Sequence, residues 1–305
     1  VSDDPDSDID YLFAQVAIDE AVVDYRGNCG NLTTAVAPFA IDEGLIAAAD
    51  EQVSAIVRNL NTGVRVRATV PVEGGRAAAA GDLAIAGVPG TGPAITTDYL
   101  DPGGSVLGSV LPTGKACDRI DAGGYGVVEA SIVDVTSPHA FVRAADVDVD
   151  DLRQLEAVRA ACGAAVGLDS LAVPRLAIVG PPAEGSDGAH IEGRATSMQR
   201  LHHAFPMTGA LCTAAAALIP GTIASEVSLH HPPRSRELTA QVAVNSRKNA
   251  GPALDEGAAP TTIRLRHPKG VVEVRAEVDG ETVRSVGVTS TARRLLRGEA
   301  FVVLR

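Results

Sequence analysis

Two helix-forming stretches of small residues constrain this chain more than anything else in it. One runs from about Asn31 to Ile46; the other runs from Thr208 to Ile219 and carries Ala210 and Ala214 to Ala217 with no aromatic side chain. Helices of that kind cannot fill the gap between broad layers and fit best where a sheet wraps closely around them. Each is entered through a Gly-bearing turn and followed by several short strands. This is a weak internal repeat, too long for a solenoid unit and suited to a duplicated domain. The architecture expected is α+β: two pseudo-repeated halves, each a curled, mostly antiparallel sheet around one central helix. Residues 1–105, completed by about 288–305, would form the first half and residues 106–287 the second, which suits the two-domain prior for 305 residues.

Local patterns fill in this outline. Tyr11 to Ala17 reads as a strand. Gln52 to Leu60 and Val64 to Val72 alternate and meet at Asn61-Thr62-Gly63, a hairpin signal. Further strands are expected at Gly126 to Val135 and Leu176 to Val179, an amphipathic helix at about Asp150 to Gly167, and a late hairpin at Asp279-Gly280. Gly44 is a plausible stop for the first small-residue helix, and a helix-like run follows Arg293.

Charge excludes several function classes. With 26 basic against 38 acidic residues the net charge is −12, and the basic side chains are scattered, so no stripe offers itself to nucleic acid. No run of apolar residues is long enough to cross a membrane, and a cytoplasmic location is expected. Cys29, Cys117, Cys162 and Cys212 stand far apart without CxxC spacing, which argues against a zinc ribbon or a thioredoxin-type site and for reduced thiols. No metal site and no cofactor are expected. A homodimer is compatible with the sequence but not specified by it.

The most specific chemical feature is Gly27-Asn28-Cys29-Gly30-Asn31 at the start of the first helix. A thiol at a helix N-terminus can become a base or nucleophile, and adjacent glycines let a substrate approach the backbone. The competing reading makes Cys29 a small buried hydrophobe and the glycines a simple turn. Free N–H groups at two helix starts would suit an anion such as a di- or tricarboxylate. His139, after Ser137-Pro138, is balanced between substrate contact and strand cap. His202 and His203 are adjacent, so on a strand only one faces the cleft. Ser290 and Arg293 could grip a carboxylate, with a surface salt bridge as the alternative for the arginine. Lys115, Lys248 and Lys269 read as solvated surface charges, and His230-His231-Pro232 as a loop.

Asp10-Tyr11-Leu12-Phe13-Ala14-Gln15-Val16, the cysteine motif extended to Thr33, Leu111-Pro112-Thr113-Gly114, Leu201-His202-His203-Ala204, Ile219-Pro220-Gly221-Thr222 and His267-Pro268-Lys269-Gly270 together resemble the ordered signatures of the PrpF family. The cysteine motif is also similar to the first one of the diaminopimelate epimerase superfamily, and Ser137-Pro138-His139-Ala140 to that superfamily's Asn-Pro-His-Ala segment. The resemblance implies that Cys29 is the cleft thiol and that Asn28, Gly30 and Asn31 hold a substrate carboxylate. Met207, Thr208 and Gly209 would supply the matching site on the second helix. The superfamily's partner cysteine falls here on Pro206, with Cys212 inside the helix, which counts against two-thiol racemisation. The resemblance also leads to the expectation of a Gly-Gly-Thr-Ser segment and a catalytic lysine upstream of Val1. The function implied is cofactor-independent isomerisation of an unsaturated di- or tricarboxylate of the methylaconitate, methylitaconate or oxalomesaconate type. The alternatives are an amino-acid epimerase and a truncated, non-catalytic carboxylate binder.

Overall fold

A computed structural model describes residues 1–16, 21, 23–25, 28–230, 260–299 and 301. Gly27, His231, Pro232 and Lys248 lie outside these residues. Strands are numbered along the main sheet: β1 Ile9–Tyr11, β2 Gln52–Asn59, β3 Arg65–Glu73, β4 Ile95–Leu100, β5 Asp118–Asp121, β6 Val127–Val135, β7 Ser137–Arg143, β8 Arg175–Gly180, β9 Ile191–Ser197, β10 Thr261–His267, β11 Gly270–Asp279 and β12 Thr282–Ser290. Helices are α1 Gly30–Asp42, α2 Leu152–Ala165, α3 Met207–Leu218 and α4 Ile223–Val227.

The hairpin expected at Asn61-Thr62-Gly63 forms, with Gly63 in the left-handed region at φ 72° and Gln52 to Arg58 laddered against Pro71 to Arg65. Asn61 does a second job that the turn signal did not reveal. Its side chain accepts from the Phe13 N–H and donates to the carbonyls of Phe13 and Tyr25, tying down the chain that leads to Cys29. The strand expected over Tyr11 to Ala17 is shorter and earlier: β1 ends at Tyr11, and Gln15–Val16 turns aside to pair with Val23–Asp24.

All twelve strands join one mixed sheet in the order β1-β2-β3-β4-β12-β11-β10-β9-β8-β7-β6-β5. Its centre is β12, antiparallel to β4 along one edge and to β11 along the other. Gly287 of β12 lies between Asp98 and Arg275 in this register, and these two charges bridge over it at 2.8 Å. A Cβ at Gly287 would collide with the Asp98 carboxylate, so only glycine leaves room for the pair.

Helix α3 is apolar on every side and correspondingly buried all round, touching β6, β7, β8, β10, β11 and β12. Its alanines let the strands close in, as the small-residue argument requires. Helix α1 packs against β1 to β4 and meets α3. It ends at Asp42 rather than 46 because Gly44, at φ 71°, turns the chain out of the helix. One core cluster spans α1, α3 and the sheet between them, and a separate one lies under α2 against β5 to β8.

Helix α2 is capped by Asp151, whose carboxylate accepts from the N–H groups of Arg153 and Gln154 at 3.0 and 3.1 Å. Replacing Asp151 with alanine is expected to destabilise the protein by about 1 kcal/mol in urea denaturation and to leave turnover unchanged. The helix-like run after Arg293 does not form a helix. Residues 291–299 have no regular structure, Leu295 and Leu296 are exposed, and Arg294 fastens the segment to Asp42 and Glu43 at the C-terminal end of α1.

Candidate active site

The starts of α1 and α3 meet. A Cβ at Gly30 would lie 2.7 Å from Met207 Sδ and 2.9 Å from its Cβ and Cγ, so glycine is required for the approach. Both helix starts lack a side-chain cap: Cys29 is the extended N-cap of α1, and Pro206, which has no capping group, that of α3. Helices α2 and α4, by contrast, are capped by Asp151 and Thr222. The two uncapped starts are the two that face each other, leaving N–H groups and dipole ends for an anion.

Cys29 is half-exposed. The segment before it is held by a network around Tyr11, whose hydroxyl accepts from Asn59 Nδ2 at 2.9 Å and shares a hydrogen bond with Thr33 Oγ1 at 2.8 Å. Asn28 is buried, and its Oδ1 accepts from Tyr11 and Thr33 at 3.3 and 3.2 Å. That oxygen holds the helix start to β1, so only the amide N–H groups of Asn28 are left to meet a carboxylate. Gly30 provides the close approach, and Asn31 faces a cavity.

Thr208 in the first turn of α3 accepts from Arg175 Nη1 at 3.0 Å. Arg175 stands beside His139 in the parallel ladder of β7 and β8. No motif in the sequence marks Arg175. Only the pairing of two distant strands places it here, and a basic residue opening a buried strand was the one available clue. Burial pulls its pKa down, while Cys29 is the neighbour that favours its charged form. His139 is wholly buried. Its Nδ1–H donates to the Ser137 carbonyl at 2.8 Å, and burial, reinforced by Arg175, holds its pKa down at about 3. It is a neutral residue behind α3, with Nε2 3.0 Å from where a Cβ on Gly209 would be. Of the two roles balanced for His139, substrate contact or strand cap, its burial and its bond to Ser137 match the second, and the substrate contact is corrected accordingly.

A cavity of about 540 Å³ adjoins both helix starts, bordered by Asn31, Met207, His202, His267 and Ser290; Cys29, Thr208 and Gly209 are not in its lining. His202 and His203 both reach it, their rings stacked at 4.8 Å. His202 follows a short strand rather than lying on one, so strand alternation does not separate the two rings. Burial lowers the His202 pKa, with His203 adding to the effect. Arg293 does not join this group. It is exposed in a second cavity, with Phe39 and Asp42 of α1, because Arg294 anchors its segment there. Lys115 and Lys269 are exposed. Among the described residues no cluster of three or more His, Cys, Asp or Glu could hold a metal ion, and no helix is long and apolar enough to cross a membrane.

Thiol accessibility yields a direct check. Burial pushes the Cys162 thiol up to about 12 and the Cys212 thiol higher still, and it also raises that of Cys117. Those three stay protonated at neutral pH and react slowly. Brief iodoacetamide treatment followed by mass-spectrometric mapping is expected to label Cys29 first.

A sheet wrapped on two central helices whose uncapped starts meet is the diaminopimelate epimerase-like fold. A solved structure of methylitaconate-delta-isomerase matches with a TM-score of 0.76 and 36% identity over 97% of this chain and 78% of that one. The PrpF protein family model matches residues 1–239, and this chain belongs to the PrpF family. It is 35% identical to 3-methylitaconate isomerase of Eubacterium barkeri over 98% of the chain and 80% of the relative. It is also 34% identical to (4E)-oxalomesaconate Delta-isomerase of Novosphingobium sp. (strain KA1), over 99% of the chain and 80% of the relative.

Proposed function

We propose that this chain is an isomerase that moves a proton, and with it a double bond, within an unsaturated di- or tricarboxylate bound between residues 1–105 and 106–287. The single observation that carries the reading is the meeting of two uncapped helix starts at Gly30 and Met207 with Cys29 on one of them. Their N–H groups suit carboxylates. They also stabilise the charge that spreads onto a conjugated carboxylate when the neighbouring carbon loses its proton. A base takes that proton, and an acid returns one at the far end of the allylic system. Cys29 fills one of these two roles. The sum is redox-neutral and needs no cofactor, which together with four unpaired thiols fits a cytoplasmic enzyme.

Racemisation of an amino acid is less well supported. It calls for a second thiol at the start of α3, where Pro206 and Met207 stand, whereas Cys212 is buried with its S–H directed at the Val133 carbonyl. The test is to offer methylitaconate, methylaconitate and oxalomesaconate in turn and follow the absorbance of the conjugated double bond. Turnover of at least one supports the reading. Binding without turnover of any would favour a non-catalytic carboxylate binder.

A further inference from the structure

We propose that Arg175 is the receptor for one carboxylate of the substrate, binding it through the Nη1–Nη2 end of its guanidinium beside the Thr208 hydroxyl. The proposal rests on the isomerase reading and deepens it by naming the cation that meets the acid. Arg175 opens β8 next to His139, and the two side chains share the sheet face that looks onto the first turn of α3.

The guanidinium is poorly satisfied in the free protein. Nη1 donates to Thr208, Nε is sealed from solvent with no hydrogen-bond partner, and Nη2 has no partner among the described residues yet is not sealed. No carboxylate among the described residues pairs with it, and its one favourable charge neighbour is Cys29. His139 offers no counter-charge, since an imidazole is never an anion, and its Nε2 is itself without a partner.

The guanidinium is partly withdrawn from water, with Nε sealed and Nη2 open, and a cation so placed without a counterion favours binding of an anion. Two uncapped helix starts at the same point favour one as well. A planar fork with two parallel donors matches a carboxylate. Thr208 accepts from Arg175, so its own hydroxyl proton remains to be donated to the same carboxylate.

The experiment measures calorimetric binding of 2,3-dimethylsuccinate, a saturated dicarboxylate that cannot isomerise, to the whole chain and to its Arg175→Met and Arg175→Lys variants. Arg175→Met is expected to raise Kd roughly tenfold to hundredfold, the usual effect of losing a charge-assisted hydrogen-bonded pair. Arg175→Lys should recover part of that loss. The melting temperature of ligand-free Arg175→Met should be unchanged or higher, because an unpaired cation has been replaced by an apolar side chain. A Kd in Arg175→Met equal to that of the parent chain overturns the assignment alone. Parallel loss of binding and melting temperature in both variants assigns Arg175 a structural role and overturns it too. If the parent chain binds neither this acid nor the three unsaturated ones, the isomerase reading falls and the assignment falls with it.

Discussion

Replacing Cys29 with alanine is expected to lower kcat for double-bond migration by about 10²–10⁴-fold, the range lost when one positioned proton-transfer group is removed. On the proposed reading the effect should fall on kcat rather than on binding, because the groups assigned to the acid, the N–H groups of two helix starts and Arg175, are left in place by the substitution. Stability should change little. Cys29 is half-exposed, its side chain caps nothing, and its backbone carbonyl still accepts from the Thr33 N–H. Steady-state rates from the conjugated absorbance, combined with calorimetric Kd values for a saturated acid, separate the two quantities. A Cys29→Ala protein that turns over at the parent rate would show that Cys29 carries no proton and that both roles belong to other groups.

The second large effect comes from a single methyl group. Gly30→Ala places a Cβ 2.7–2.9 Å from three Met207 atoms, and one of those is Cβ, which is fixed to the backbone and cannot swing away as Cγ and the thioether tip could. The backbones of the two helix starts must separate by several tenths of an ångström. Overpacking of this kind costs about 1–3 kcal/mol in stability. The catalytic cost is of the same size, because displacement by about 1 Å away from the reacting atoms can lower rates by roughly 10². The expected result is a fall in kcat of about 10–100-fold in a protein that still melts cooperatively. A partner change that shortens residue 207, Met207→Ala, should restore part of the rate by reopening the space. Parent-like turnover in Gly30→Ala alone would mean that the contact can relax without disturbing the site.

These effects trace back to what could be read in the residues. Helix α3 was legible because its alanines admit only one kind of neighbour, a close sheet, and α1 because Gly30 and Cys29 sit where a helix begins. The Asn61 turn was legible through its local signal, but its side-chain bonds to Phe13 and Tyr25 were not, since they join segments far apart in the chain. Half of the Asn28 side chain was hidden for a related reason: the motif does not tell that its oxygen is engaged, and only the folded position of Tyr11 shows it. Arg293 was credited for its chemistry, yet the ion pairs of its neighbour Arg294 carry the segment to the opposite end of α1. Arg175 had no local signature at all. Its neighbours His139 and Thr208 reach it through a parallel strand pair and a helix start, contacts that no short motif encodes.

The position of β12 bears on how a substrate can enter. Backbone ladders bind this strand to β4 on one side and β11 on the other, and the Asp98–Arg275 bridge crosses above it at Gly287. Parting the region that carries α1 from the region that carries α3 would mean tearing hydrogen bonds from the middle of a sheet rather than flexing a connector. This seam opposes a jaw-like opening about a loose hinge. Slight changes of sheet twist, or movement at the rim where residues 83–88 border the cavity, leave these bonds intact. The amides of β12 should then be among the last in the molecule to exchange with solvent deuterium, and binding of an acid should slow exchange at the helix starts while leaving this seam as it was.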